Sequence, residues 1–224
     1  MRGASVNDTF NIGEVIDHPR RGSVSDPAAW WRRVCWVTDR VALSGDLNND
    51  DVLARAQLED WAAQGVTHIL DVREEADVEW EATRIRGFNP DINYFNLGTH
   101  DNGGDQADWW FERGVAFVRE ALTGSDTKVL IHCHMGVNRG PSMGFAALLA
   151  GGMDPLDAMA AIRAARPIAG VIYAESALDW WLRSNDGDDE IRAEGAVRLI
   201  EWMGDNEVDV AWVVNRIWRA DWAA

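Results

Sequence analysis

The chain has 224 residues, 47% of them hydrophobic, and a formal net charge of −16 from 37 acidic and 21 basic side chains. That length and apolar content suit one globular domain with an extension. The acidic balance argues against nucleic acid and anionic membranes as partners, and no uninterrupted apolar run approaches the ~20 residues of a membrane helix.

Residues 1–33 read as an N-terminal arm with a short helix. Phe10, Ile12, Val15 and Ile16 can pack on the body, whereas His18-Pro19-Arg20-Arg21-Gly22 is loop chemistry. No apolar signal-peptide core opens the chain. Asp26-Pro27 is a cap followed by proline at the first helical position, predicting a short helix to about Arg33. Residues 34–38 and 41–43 flank Asp39-Arg40 and predict a hairpin or two edge strands.

Asp50-Asp51 opens a helix that runs to about Gln64 and stops at Gly65. Residues 67–72 are the next strand, 74–86 are mostly helical, and 92–97 form a third strand. A polar loop, 98–106, holds Asp101 and Asp105. Phe111, Val115, Val118 and Leu122 then recur at helical spacing.

Val129-Leu130-Ile131 is a short apolar run and predicts a buried strand. After a tight loop, residues 143–150 predict a buried helix. Asp154-Pro155 starts another helix, which ends near Ala165 before Arg166-Pro167; residues 174–183 are a further one. A polar hinge at 184–190 leads to two amphipathic stretches, Ala196/Leu199/Ile200/Met203 and Val210/Val213/Val214/Ile217. Alternating strands and helices imply an α/β fold with a single central, largely parallel sheet flanked by helices.

Thirteen tryptophans are present, and pairs such as Trp109-Trp110 and Trp180-Trp181 cannot both face inward on one helix. The two cysteines are Cys35 and Cys133, and Lys128 is the only lysine. A disulfide would consume Cys133, so a reducing, cytoplasmic setting is expected.

The chemistry concentrates in His132-Cys133-His134-Met135-Gly136-Val137-Asn138-Arg139-Gly140-Pro141-Ser142. A strand-loop-helix unit aims loop amides and a helix N-terminus at one spot, which favours an anion. A cysteine there has its thiolate stabilised, predicting a pKa below roughly 8.5. An arginine there offers a planar fork for two phosphate oxygens, and Gly136 lets the backbone curl. Together they form a phosphate cradle with a nucleophile at its floor.

These residues resemble the His-Cys-x-x-Gly-x-x-Arg signature of the cysteine-dependent phosphatases. Residues 34–183 as a whole look like the dual-specificity branch of the protein tyrosine phosphatase superfamily. The stretches Trp36-Val-Thr-Asp-Arg-Val-Ala-Leu-Ser-Gly, Gly65-Val-Thr-His-Ile-Leu-Asp-Val and 153–167 carry the resemblance. It implies the cysteine-phosphatase fold, with 184–224 as an extra C-terminal helical extension. The extension is expected to pack on the domain or on itself, rather than to serve as a dimer surface.

The resemblance also assigns roles. Cys133 is the nucleophile, Arg139 holds the phosphoryl oxygens, and His134, Met135, Gly136, Val137, Asn138 and Gly140 surround the substrate. His132 supports the cysteine. An upstream loop aspartate is the family's general acid, and Asp101, 32 residues before Cys133, fits it, with Asp105 in reserve. The reaction implied is phosphomonoester hydrolysis through a cysteinyl-phosphate, on phosphotyrosine or phosphoserine/threonine. No metal or cofactor is implied, and phosphate or sulfate is the ion expected in the cradle.

One departure stands out. The family usually has Ser or Thr after the arginine, and this chain has Gly140. Loss of that hydroxyl predicts a higher thiolate pKa and a slow second step, or a phosphate-binding protein without turnover. Ser142 is not expected to substitute. Phosphoinositide phosphatases of the superfamily carry cradle lysines, absent here. Asn138 before Arg139 is similar to the RNA 5′-triphosphatase members, a reading the acidic charge opposes.

Overall fold

The computed structural model describes residues 9–18 and 26–222. A three-residue 3-10 turn, Pro27–Ala29, precedes strands β1 (Cys35–Trp36) and β2 (Val41–Ser44). Then come helix α1 (Asp51–Ala63), β3 (His68–Asp71), α2 (Val78–Phe88), β4 (Asn93–Asn96), α3 (Asp108–Ala121) and β5 (Val129–His132). Five helices follow: α4 (Arg139–Ala150), α5 (Pro155–Ala165), α6 (Ala174–Ser184), α7 (Asp189–Asp205) and α8 (Val210–Asp221).

The strands form one sheet in the order β1-β2-β5-β3-β4, parallel except for the β1–β2 hairpin. The central strand, β5, is buried along its whole length. A parallel strand covered on both faces needs a continuous apolar run rather than alternation, and Val129-Leu130-Ile131 supplies it. One face packs against α1 and α2 through Ala54, Leu58, Trp61 and Ile85. The other packs against α3 to α6 through Phe111, Val118, Phe145, Ile162 and Leu178. Of the paired tryptophans, Trp110 and Trp180 are buried in that second layer, and Trp109 is exposed.

Boundary signals act as their chemistry dictates. The Asp50 carboxylate accepts from the Val52 and Leu53 amides to cap α1, and Asp154 does the same for α5. Gly65 ends α1 with φ +84°, a left-handed turn a side chain would oppose.

Of the two readings of residues 34–43, the hairpin is the one that forms: β1 pairs antiparallel with β2, and β2 lies between β1 and β5 with all four residues buried. Two expectations need correction. The first helix is only a 3-10 turn. α4 begins at Arg139 rather than Met143, because Gly140-Pro141-Ser142 forms its first turn, where the proline's missing N–H has no intrahelical acceptor to lose. The N-terminal arm lies partly outside the described residues; within them Ile12 is buried and Val15 bridges Thr38.

α7 packs on α6, burying Leu199, and Arg192 reaches Asp179 at 2.7 Å. α8 docks elsewhere. Val213 and Ile217 join Trp31, Met135, Val137 and Ile168 in a small separate core. Among the described residues, no helix is long and apolar enough to cross a membrane.

Candidate active site

The loop between β5 and α4 is shaped from below by Arg166, a buried arginine at the end of α5. Its guanidinium donates to the carbonyls of Gly136 (2.5 Å), Met135 (3.1 Å) and Trp31 (2.8 Å). It also reaches the carbonyls of Trp30 and Arg33. With the Met135 and Gly136 carbonyls held by Arg166, the Gly136 amide is left to the Cys133 side of the loop. Gly136 adopts φ +61°, and a Cβ there would lie 2.5 Å from the Ser44 carbonyl oxygen and collide with Arg166. Only glycine satisfies both conditions.

Cys133 follows β5 at the floor of this loop and is buried. Burial pushes its thiol pKa up, and Asp101 adds to that, whereas Arg139 and the Gly140 and Gly136 amides pull it down. Burial wins, contrary to the depressed pKa expected from a strand-loop-helix cradle and in line with the missing hydroxyl. At Gly140 a Cβ would lie 3.2 Å from the Cys133 nitrogen, a tight but not prohibitive approach. Ser142 does not replace the hydroxyl. Its Oγ donates to Asn138 Oδ1 (3.1 Å) and accepts from the Tyr173 amide (3.2 Å).

Arg139 opens α4 with its guanidinium over the loop. Its Nη1 donates to Glu75 at 3.0 Å and to the Thr99 carbonyl at 3.1 Å, and Nη2 is tied to Glu75 as well. Nε lies 3.3 Å from Asp101 Oδ2. Burial alone would raise the Glu75 pKa, but Arg139 outweighs it and holds the carboxyl below its ordinary value.

Asp101 is held at its other oxygen. Asn138 Nδ2 donates to Oδ1 at 2.7 Å and the Tyr173 hydroxyl donates at 2.9 Å. Asn138 is itself fixed, because its Oδ1 accepts from the Ile172 amide at 2.8 Å. Thus a residue of the loop and one beside α6 steer the same carboxylate. Asp105 is not among the residues lining the cleft.

Under the loop lies a buried polar cluster. Arg73 donates to Asp71 (3.0 Å) and lies 2.7 Å from Glu81; Tyr94 donates to Asp71 at 2.7 Å. His132 sits 3.4 Å from Glu81 and 3.9 Å from Asp71. Burial pushes His132 down to about 4 and Glu81 up to about 8, so it favours the uncharged form of each. His132 lies beneath Cys133 in this cluster. Asp71, Glu81 and His132 are close enough together to share a cation; the Arg73 guanidinium already supplies positive charge to the two carboxyls.

The cleft above Cys133 has a volume of about 370 Å³. Cys133, His134, Met135, Val137, Asn138 and Arg139 line it, together with Glu75, Asp101 and Gly103. Gly136, Gly140 and His132 lie in the loop and beneath it. His134 is anchored by Asp46, which receives Nδ1 at 2.5 Å. Burial presses the His134 pKa down, but Asp46 outweighs it and holds it above the ordinary histidine value.

Sequence reasoning missed Glu75, Arg166 and Tyr173, and missed that Ile172, Val210, Val214 and Trp218 line the cleft. Position gives one usable signal: Glu75 follows β3 at its carboxyl end, where open α/β sheets gather site residues.

A family model described as the dual specificity phosphatase catalytic domain matches residues 53–172. The chain is 27% identical over 163 residues to dual specificity protein phosphatase 13B of Mus musculus, covering 70% of this chain and 81% of that one. It is 27% identical over 85 residues to dual specificity protein phosphatase 26 of Homo sapiens, 38% of this chain and 39% of that one. Among solved structures it is similar to PTPMT1 in complex with PI(5)P. There the TM-score is 0.57 at 16% identity, over 70% of this chain and 97% of that one.

Proposed function

The chain belongs to the dual specificity phosphatase catalytic-domain family, and from that premise we propose that it hydrolyses phosphomonoesters of proteins, phosphotyrosine or phosphoserine/threonine, through a cysteinyl-phosphate. The observation that carries this reading is convergence. Cys133, Arg139 and Asp101 come from a strand end, a helix start and a separate loop, yet line one cleft. Arg139 and Asp101 are also in direct contact.

In the first step the Cys133 thiolate attacks phosphorus and a sulfur–phosphorus bond forms. The bond to the leaving oxygen breaks, and Asp101 gives that oxygen its proton. Arg139 and the loop amides balance charge on the remaining oxygens. In the second step Asp101 takes a proton from water, the water oxygen attacks phosphorus, and Cys133 leaves as thiolate. Inorganic phosphate is released and Asp101 is again protonated.

Asn138 and Tyr173 keep the Asp101 carboxylate aimed at the cleft in both steps. Glu75 shares the Arg139 fork, so a phosphoryl group competes with it for those nitrogens. Gly140 leaves the departing sulfur without a hydroxyl donor, which slows the second step relative to the first.

Hydrolysis of nitrophenyl phosphate by wild type, Cys133→Ser and Asp101→Ala, with reductant, tests this. Active wild type, inert Cys133→Ser and strongly impaired Asp101→Ala are expected. Equal rates for wild type and Cys133→Ser would overturn the proposal.

A further inference from the structure

The family match ends at residue 172, yet α8 reaches the same cleft. We propose that α8 is a specificity wall: Val210, Val214 and Trp218 form an apolar surface beside the cradle that receives the ring of an aryl phosphomonoester, so the cleft favours phosphotyrosine-type esters over alkyl phosphates. This rests on the phosphatase reading of that cleft and narrows its substrate class.

The three residues recur every four positions, so they share one face of the helix. The neighbouring stripe fixes that face in place. Val213 and Ile217 are buried against Trp31, Met135, Val137 and Ile168, two of which belong to the catalytic loop. Polar ties secure the ends. Asp209 caps α8 by accepting from the Trp212 amide, Arg216 reaches Asp26 at 3.2 Å, and Asp221 reaches Arg32 at 3.1 Å.

Gly170 lets the helix come close. Its amide donates to the Val137 carbonyl at 2.7 Å, and a Cβ on it would lie 2.8 Å from Val210. Trp218 meets the His134 ring edge to face, with centroids 5.8 Å apart. The anchored His134 therefore steadies the indole, which also meets Trp222 edge to face at 6.1 Å; Trp218 remains 43% exposed, leaving surface for a ligand. Met135, Val137 and Ile172 extend the apolar lining.

Such a wall discriminates by what lies next to the phosphate. An aryl ester presents a flat apolar ring, which gains from burial and from edge or stacked contact with an indole. Phosphoserine presents a polar backbone a single carbon beyond the ester oxygen, and its amides would lose water against valines that return no hydrogen bond. A multiply phosphorylated headgroup fares worse. Among the described residues Arg139 is the only arginine in the lining and no lysine joins it; the other basic group there, His134, is already tied to Asp46, and Glu75 and Asp101 lie beside Arg139.

Calorimetry on the full 224-residue chain carrying Cys133→Ser tests the wall without requiring turnover. The ligands are phenyl phosphate, phosphoserine and inorganic phosphate. Phenyl phosphate is expected to bind about tenfold more tightly than either of the others. Adding Trp218→Ala, or independently the near-isosteric Val214→Thr, should weaken phenyl phosphate several-fold more than inorganic phosphate. Equal affinities for the three ligands, or equal losses in both variants, would overturn the wall. If wild type proves inert toward aryl phosphates while the binding preference holds, the hydrolase reading falls and the wall stands.

Discussion

Glu75 grips both terminal nitrogens of Arg139, so the guanidinium fork of the proposed phosphate cradle is already engaged by a carboxylate. A dianionic phosphate must share or displace that partner. Charge-assisted bonds of this kind contribute roughly 1.5–3 kcal/mol, and the Thr99 carbonyl and Asp101 hold Arg139 as well. Glu75→Gln keeps the shape and removes the charge. It should tighten competitive inhibition by inorganic phosphate about tenfold, the equivalent of ~1.4 kcal/mol. Weaker inhibition would mean that Glu75 orients the arginine more than it competes for it.

Asp101 is aimed by Asn138 and Tyr173. Loss of a general acid costs about 10²–10⁴-fold, and the cost grows as the leaving oxygen becomes more basic. Asp101→Asn should therefore depress hydrolysis of an alkyl phosphate more than that of nitrophenyl phosphate. Tyr173→Phe removes one bond to the same oxygen and should give a smaller loss, about tenfold or less, with the same leaving-group trend. Uniform losses across leaving groups would assign Asp101 to binding.

The thiol of Cys133 is pushed up by burial against Arg139 and two loop amides. A raised pKa in an acid favours its protonated form, so at neutral pH the thiolate is the minor species. In a Cys35→Ser background, the rate of alkylation at Cys133 should rise with pH and inflect above ~8.5, the value of an unperturbed thiol. An inflection well below neutrality would show that amides and arginine outweigh burial.

Arg166 stabilises the loop from underneath. Arg166→Leu leaves the Gly136, Met135 and Trp31 carbonyls without this donor. At roughly 1–3 kcal/mol for each buried group left unpaired, thermal or denaturant unfolding should show a loss of about 3 kcal/mol or more, with activity falling in parallel. Arg166→Lys keeps the charge and reaches fewer carbonyls, so its loss should be intermediate. Wild-type stability in Arg166→Leu would contradict the scaffold role.

Local chemistry made the central unit readable. The apolar run of β5, the glycine at 136 and the Asp-Pro start of α5 each act within a few residues, so strand, loop and helix could be placed from sequence. The start of α4 was not legible, because Gly140-Pro141 is breaker chemistry anywhere except in a first helical turn. The run 74–86 reads as mostly helical, yet α2 starts only at Val78; before it Arg73 is buried among Asp71 and Glu81, and Glu75 meets an arginine 64 residues away. Arg166 likewise finds its acceptors in two distant segments, 30–33 and 135–136. In α8 a single apolar stripe was visible, but that Val213 and Ile217 are buried in a small core while Val210 and Val214 both flank that core and line the cleft depends on the angle at which the helix docks.

The cysteinyl-phosphate, and its slow breakdown beside Gly140, is the claim on which the account turns. Rapid-quench hydrolysis of nitrophenyl phosphate, with acid trapping and peptide mapping, measures it directly. The account predicts a stoichiometric burst of nitrophenol, then slower steady turnover, with a phosphoryl group on the peptide that contains Cys133. Nitrophenol and phosphate released in step, with nothing trapped on Cys133, would contradict it.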